Sequence, residues 1–271
     1  MPYERKVERA HPALIVMILD DSGSMSESLP GTSDTRYQWV ERYSGIILKE
    51  LLARCMEMSG GNPVVKPRYY LDVIKYGSTV EAWQGGAEGA EETDIEAAVK
   101  KFTDDGGSLG LGAKLGGTNT AAAFELALHR IEKALQKERF KNSFPPIVFH
   151  LTDGESHTDA EPFAQQIMQL SSNDGNVLIV NGYIGTSTQL NYKDPNDFPG
   201  YLDESEVGPS QDNLRLFRMS SRIPETMREN LVNDGIFPAI RDNVRLFFDV
   251  RTKEMLKHVI QVVGSGSRLA R

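Results

Sequence analysis

The stretch Leu14-Ile15-Val16-Met17-Ile18-Leu19-Asp20-Asp21-Ser22-Gly23-Ser24 decides how this chain reads. Six successive apolar side chains, three of them β-branched, leave no polar face for solvent, which is the pattern of a strand buried on both sides of a parallel sheet. The run stops at Asp20. Residues 20–35 are rich in Ser, Gly, Asp and Pro and predict a loop, and residues 37–58 resume apolar positions at helical spacing. The unit is strand, polar loop, helix.

Working outward, residues 69–76 and 79–83 predict two strands joined by Gly77-Ser78, a pair suited to a type II′ turn, so one strand should run antiparallel at an edge. A short helix is expected over 94–102 and a long one over 119–137. Pro145-Pro146 then introduces Ile147-Val148-Phe149-His150-Leu151-Thr152, a second buried strand that again ends in an aspartate, Asp153. Residues 161–170 read as a helix, 176–184 as a third core strand, 213–219 and 224–233 as helices, 244–250 as a strand and 253–263 as a closing helix. Strands alternating with helices predict an α/β fold: an open, mostly parallel β-sheet with one antiparallel edge strand and helices on both faces. A single domain spanning 1–271 is expected, with extended loops at 84–117 and 185–210. The second of these, poor in aliphatics, reads as a surface insertion.

Composition narrows the function classes. Hydrophobic residues at 39% are enough for a large core, and the formal net charge of −8 disfavours the phosphate neutralisation that nucleic-acid binding requires. No segment has the roughly 18 consecutive apolar residues of a membrane span, and the charged start lacks the apolar region of a signal peptide. The one cysteine, Cys55, allows no intrachain disulfide and is expected to fill apolar space. A cytoplasmic protein, with neither nucleic acid nor membrane as partner, is expected.

The chemistry is expected after the first strand. Asp20, Ser22 and Ser24 place a carboxylate and two hydroxyls at alternate positions just past the carboxyl end of a strand, in the crevice where open α/β sheets bind ligands. These are hard oxygen donors, and Gly23 permits the tight backbone path that aims them at one point, so Mg2+ is the obvious candidate.

Asp20-x-Ser22-x-Ser24 after a hydrophobic strand resembles the metal-ion-dependent adhesion site of von Willebrand factor A and integrin I domains. Gly116-Gly117-Thr118-Asn119-Thr120 resembles that family's glycine–threonine loop, and Leu151-Thr152-Asp153-Gly154 its second acidic loop. The three occur in the family's order; the resemblance covers the chain in outline and is sharp only in these loops. The lack of an apolar leader and of paired cysteines favours an intracellular, bacterial-type member, and the resemblance implies a von Willebrand factor A-like domain binding one Mg2+, with Mn2+ or Ca2+ as alternatives. It further implies that Ser22 and Ser24 coordinate through hydroxyls, that Thr118 binds directly or through water, and that Asp20 and Asp153 act chiefly through waters. The remaining coordination position would take a Glu or Asp of a partner protein, such as an ATPase, kinase or other component of a bacterial multi-protein system. No catalysis is implied.

Other readings compete. A phosphotransferase of the haloacid dehalogenase type also places an Asp after the first strand, but wants a second carboxylate two residues on, where this chain has Ser22. A structural domain whose metal site is not used in binding is the other alternative. Gly106-Gly107-Ser108-Leu109-Gly110 matches the form of a nucleophile elbow, yet Thr103-Asp104-Asp105 before it is no buried strand. His150, in a core strand, is expected to be a hydrogen-bonded structural residue, and His157 a solvated loop residue near the metal face. Asp21 should point away from Asp20, because neighbours in an extended chain face opposite ways. Trp39 and Tyr43 are expected to pack.

Overall fold

The computed structural model describes residues 3–29, 33–83, 91–185, 194–250 and 252–265. Strand β1 (Ala13–Asp20) is buried along its whole length. Ile15, Met17 and Leu19 face one hydrophobic core while Leu14, Val16 and Ile18 face the other, so the unbroken apolar run serves two faces. A 3-10 turn, Gly23–Ser26, leads toward α1 (Arg36–Arg54). Thr35 caps this helix reciprocally: Gln38 N–H donates to the threonine hydroxyl, and Thr35 N–H donates to the Gln38 side chain at 2.8 Å.

Helix α1 ends at Cys55, buried, where the sequence pattern carried it to 58. The chain turns instead into an antiparallel hairpin of β2 (Met56–Ser59) and β3 (Asn62–Val65). Gly60 and Gly61, both with left-handed backbone (φ 58° and 83°), make the turn, and Met56 and Met58 counterfeit helical spacing while lying exposed. Next come β4 (Tyr69–Tyr76) and β5 (Val80–Trp83), antiparallel as expected. Their link is the three residues 77–79 rather than a type II′ pair. Gly77 is required by closeness, since a Cβ there would lie 2.4 Å from the Leu115 Cβ.

A short β6 (Thr93–Asp94) pairs with β4, and Asp94 caps α2 (Ile95–Asp104) by accepting Ala97 N–H at 3.0 Å. After α3 (Thr120–Leu135) and α4 (Glu138–Lys141) come β7 (Ile147–Thr152) and α5 (Glu161–Gln169). A small hairpin of β8 (Ser171–Ser172) and β9 (Gly175–Asn176) precedes β10 (Leu178–Tyr183). The chain closes with α6 (Glu204–Val207), α7 (Gln211–Arg218), α8 (Glu225–Asn233), β11 (Phe247–Asp249) and α9 (Lys253–Ser265).

The main sheet runs β11-β10-β7-β1-β4-β5, parallel except for the β5 edge and the short β6. Helices α1, α2 and α9 fill one face, α3 and α5 the other. The six strands on that path, taken in chain order, lie 3-2-1-4-5-6, so strand order reverses between β1 and β7, and the crevice outside their carboxyl ends is the natural ligand site.

Parts of the two expected loops, 84–90 and 186–193, lie outside the described residues. The rest of the expected surface insertion is no bare loop. Phe198, Tyr201 and Val207 are buried, Phe198 stacking within 5.6 Å of Tyr201, Phe237 and Phe248. Sparse aromatics spaced without period escape a pattern search, yet each buries a large area. Among the described residues no helix is long and apolar enough to cross a membrane.

Candidate metal centre

Three loops meet above the switch point. Gly23 N–H donates to Gly116 O at 2.7 Å, joining the β1 loop to the glycine–threonine loop, and His157 N–H donates to Thr118 O at 3.1 Å, joining that loop to the segment after β7. The hairpin tip 77–79 holds the same loop from the side: Gly117 N–H donates to Ser78 Oγ and Asn119 N–H to Gly77 O, each at 2.7 Å. Gly116 takes a left-handed backbone, φ 73°. Asn119 then caps α3, its Oδ1 accepting Ala122 N–H at 3.2 Å.

Asp20 is fully buried. Its Oδ1 accepts Ser22 N–H at 2.9 Å and its Oδ2 the Thr152 hydroxyl at 2.6 Å. Burial, and after it the nearby Asp153 charge, push the carboxyl up to about 6, against the bonds from Ser22 and Thr152. Asp21 faces the other way, as alternation requires: its Oδ1 accepts Gly112 N–H at 2.7 Å and Ala113 N–H at 2.6 Å, pinning the stretch that leads to Thr118. Ser22 and Ser24 place their Oγ atoms 3.2 Å apart. Thr118 is buried, and among the described residues no hydrogen bond of its hydroxyl is found. Asp153 is buried too, its Oδ2 accepting Arg36 Nη1–H at 2.7 Å.

Beneath Asp20 runs a directed chain of buried side chains. Asn181 Nδ2 donates to Leu216 O at 3.2 Å and to Ser220 Oγ at 2.9 Å, so its Oδ1 must accept from His150 Nδ1, 2.7 Å away. Neutral His150 then has only Nε2 to accept with, and the Tyr76 hydroxyl donates a hydrogen bond to it at 2.8 Å. Burial holds His150 down at about 4, keeping it neutral, while the Asn181 bond acts the other way. Burial likewise raises Tyr76 well above its ordinary value. With its one proton spent on His150, Tyr76 has none for Asp20 Oδ2, 3.3 Å off. Both ring nitrogens of His150 are engaged in this chain.

Of the five residues singled out from the sequence, Asp20, Ser22, Ser24 and Asp153 are linked by these hydrogen bonds and the Arg36 ion pair, and Thr118 lies in the loop that Gly23 and His157 hold by backbone bonds. His157 is exposed beside Gly117, Trp39 and Tyr43 pack at 5.7 Å between ring centres, and Ser108 is tied to Glu41 of α1 with no histidine beside it. Arg36 was not foreseen. Its guanidinium also reaches Ser24 O at 3.2 Å and Glu27 at 2.8 Å, and a lone arginine at a helix start carries no signal for such long-range contacts. Thr152 was missed as the partner of Asp20, and Tyr76 as the partner of His150, because both read as ordinary strand residues.

Two oxygens 3.2 Å apart lie close to the roughly 3 Å edge of an octahedron with 2.0–2.1 Å bonds, the Mg2+ preference. Among the described residues no three His, Cys, Asp or Glu side chains gather as a cage. The donor set is instead three hydroxyls with two carboxylates, a hard-oxygen set of low charge that fits an ion keeping several waters. Arg36, already on Asp153, opposes the fit.

No family model matches the chain, and no curated protein matches it in sequence. Among solved structures it is similar to proximal thread matrix protein 1 from the mussel byssus, with TM-score 0.50 and 12% identity over 96% of this chain and 48% of that one. A manganese-loaded TRAP protein of Plasmodium vivax gives TM-score 0.49 and 14% identity over 94% and 74%. A von Willebrand factor type A structure from Catenulispora acidiphila gives 0.43 and 17% over 64% and 33%. At such identities the likeness is one of fold.

Proposed function

We propose that this chain is a protein-binding domain that holds one divalent cation, Mg2+ first with Mn2+ and Ca2+ as alternatives, and offers it to an acidic side chain of a partner protein. The observation that supports this best is that the loops carrying Asp20, Ser22, Ser24, Thr118 and Asp153 are hydrogen-bonded to one another at the reversal of strand order, with the Ser22 and Ser24 hydroxyl oxygens 3.2 Å apart. Ser22, Ser24 and Thr118 would hold the ion, and Asp20 and Asp153 would orient its waters. The ion would supply a local positive charge with an exchangeable position, on a chain whose net charge of −8 would otherwise repel a carboxylate. Around it, Asp21 and the hairpin tip hold the glycine–threonine loop, so the donors are placed before any ligand arrives.

Binding rather than catalysis is the reading proposed, because the position two residues after Asp20 is a serine and supplies no general acid or base. An intracellular setting, with a component of a multi-protein system as partner, is proposed with it. The test uses a partner copurified from the native host and measured with the pure proteins. Binding should be lost in excess chelator and when one partner Glu or Asp is changed to its amide. Undiminished binding in chelator, with the domain still folded, would leave an ordinary protein surface in place of the metal bridge.

A further inference from the structure

The Arg36 guanidinium touches three acceptors: Asp153 Oδ2 at 2.7 Å, Ser24 O at 3.2 Å and Glu27 Oε2 at 2.8 Å. Two of the three belong to the metal crevice. The side chain is only 11% exposed, whereas the Glu27 carboxylate is 64% exposed. The backbone fixes this placement. Arg36 is the first residue of α1 and its N–H donates to Glu27 O at 3.0 Å, Ser28 bridges Thr35, and Leu29 N–H donates to Asp34 O at 3.1 Å. The guanidinium is thus delivered by the fold to the rim of the crevice, with one seat inside it and one outside.

Building on the metal-binding reading above, we propose that Arg36 is a built-in competitor of the divalent ion, shared between an inner seat on Asp153 and Ser24 and an outer seat on Glu27. In the inner seat a fixed positive charge neutralises one of the two acidic groups and lies against the residue whose hydroxyl would ligate. A second cation brought there meets like-charge repulsion in a poorly screened site. Entry of a divalent ion moves Arg36 toward Glu27, whose carboxylate can follow a rigid planar fork with several donors. Ion affinity is then set by an exchange between two residues nine apart in sequence. The native domain should bind Mg2+ more weakly than its oxygen donors alone would dictate.

The test is Mg2+ calorimetry on the full chain, native and with Arg36→Gln, Arg36→Lys and Glu27→Gln, each checked by thermal melting. Arg36→Gln should bind Mg2+ about tenfold more tightly, the size of an ordinary coupling between sites. Arg36→Lys, which keeps the charge, should stay within about threefold of native on the same scale. Glu27→Gln, which removes the outer seat, should bind more weakly. Unchanged or weaker binding by Arg36→Gln, with tight binding by the native chain, would overturn the exchange and leave Arg36 as a brace for Asp153. If Arg36→Gln does not fold, the Glu27→Gln result decides, and tighter binding there would overturn the proposal. Absence of Mg2+ binding by native and all variants alike would instead overturn the metal reading itself, and the exchange with it.

Discussion

Asp20 and Asp153 follow adjacent strands with the same grammar, an apolar run and then an acid, yet their surroundings differ in kind. Asp20 is held by uncharged donors, Ser22 N–H and the Thr152 hydroxyl, and burial lifts its carboxyl to about 6. Asp153 meets a guanidinium at 2.7 Å. One acid is a desolvated group with no cationic partner among the described residues; the other already has one. A divalent ion arriving between them would relieve the first and compete for the second. Similar sequence signals thus carry opposite electrostatic roles, decided by what the fold brings in from far along the chain.

The largest effect expected of this asymmetry is on pH dependence without metal. A carboxyl whose folded value lies above its unfolded one stabilises the fold at pH below the unfolded value, and that contribution is lost as pH rises through the folded value. For Asp20 the window runs from about 4 to about 6, and is worth on the order of 3 kcal/mol. His150, depressed to about 4, works oppositely: its contribution is present above its ordinary value and is lost as pH falls toward 4. In urea melts with chelator, the native chain should therefore gain about 3 kcal/mol relative to Asp20→Asn on going from pH 7 to about pH 3. A constant difference across that range would show that Asp20 is not desolvated as described.

Next in size is metal affinity. Asp20→Ala should weaken Mg2+ about 100-fold and Asp153→Ala about tenfold, because Arg36 already offsets part of the Asp153 charge. Equal losses would erase the asymmetry. Asp21→Ala comes third. It leaves two half-buried backbone donors, Gly112 N–H and Ala113 N–H, without their charged acceptor, and should cost about 1–3 kcal/mol in stability while weakening Mg2+ less than Asp20→Ala does. The smallest effect is chelation of the native chain. With metal at ten times its dissociation constant, removal costs about 1.4 kcal/mol, so the melting temperature should fall by only a few degrees.

How far the sequence foretells this depends on distance. Strands β1, β7 and β10 were readable within two residues of their ends because a run of apolar side chains is a local signal. The opposite facing of Asp20 and Asp21 followed from strand alternation alone. The hairpin at Met56–Ser59 and Asn62–Val65 was hidden because Met56, four residues after Leu52, and Met58, three after Cys55, continue the helical apolar spacing, and only Gly60-Gly61 marked the break. The packing of Phe198 against Phe237 and Phe248, and of Tyr201 against Phe247, involves partners some 39 to 50 residues away, beyond any periodic pattern. Arg36 on Asp153 spans 117 residues and left no local trace. The candidate donors could be picked out because they sit in short motifs. Their partners were not, because each belongs to another element.

Calorimetric titration of the native chain with Mg2+, beside the double variant Ser22→Ala with Ser24→Ala, tests the central claim most directly. The account predicts one site per native chain, absent from the double variant while its circular dichroism and melting in chelator match the native protein. Equal Mg2+ binding by both folded proteins would contradict it.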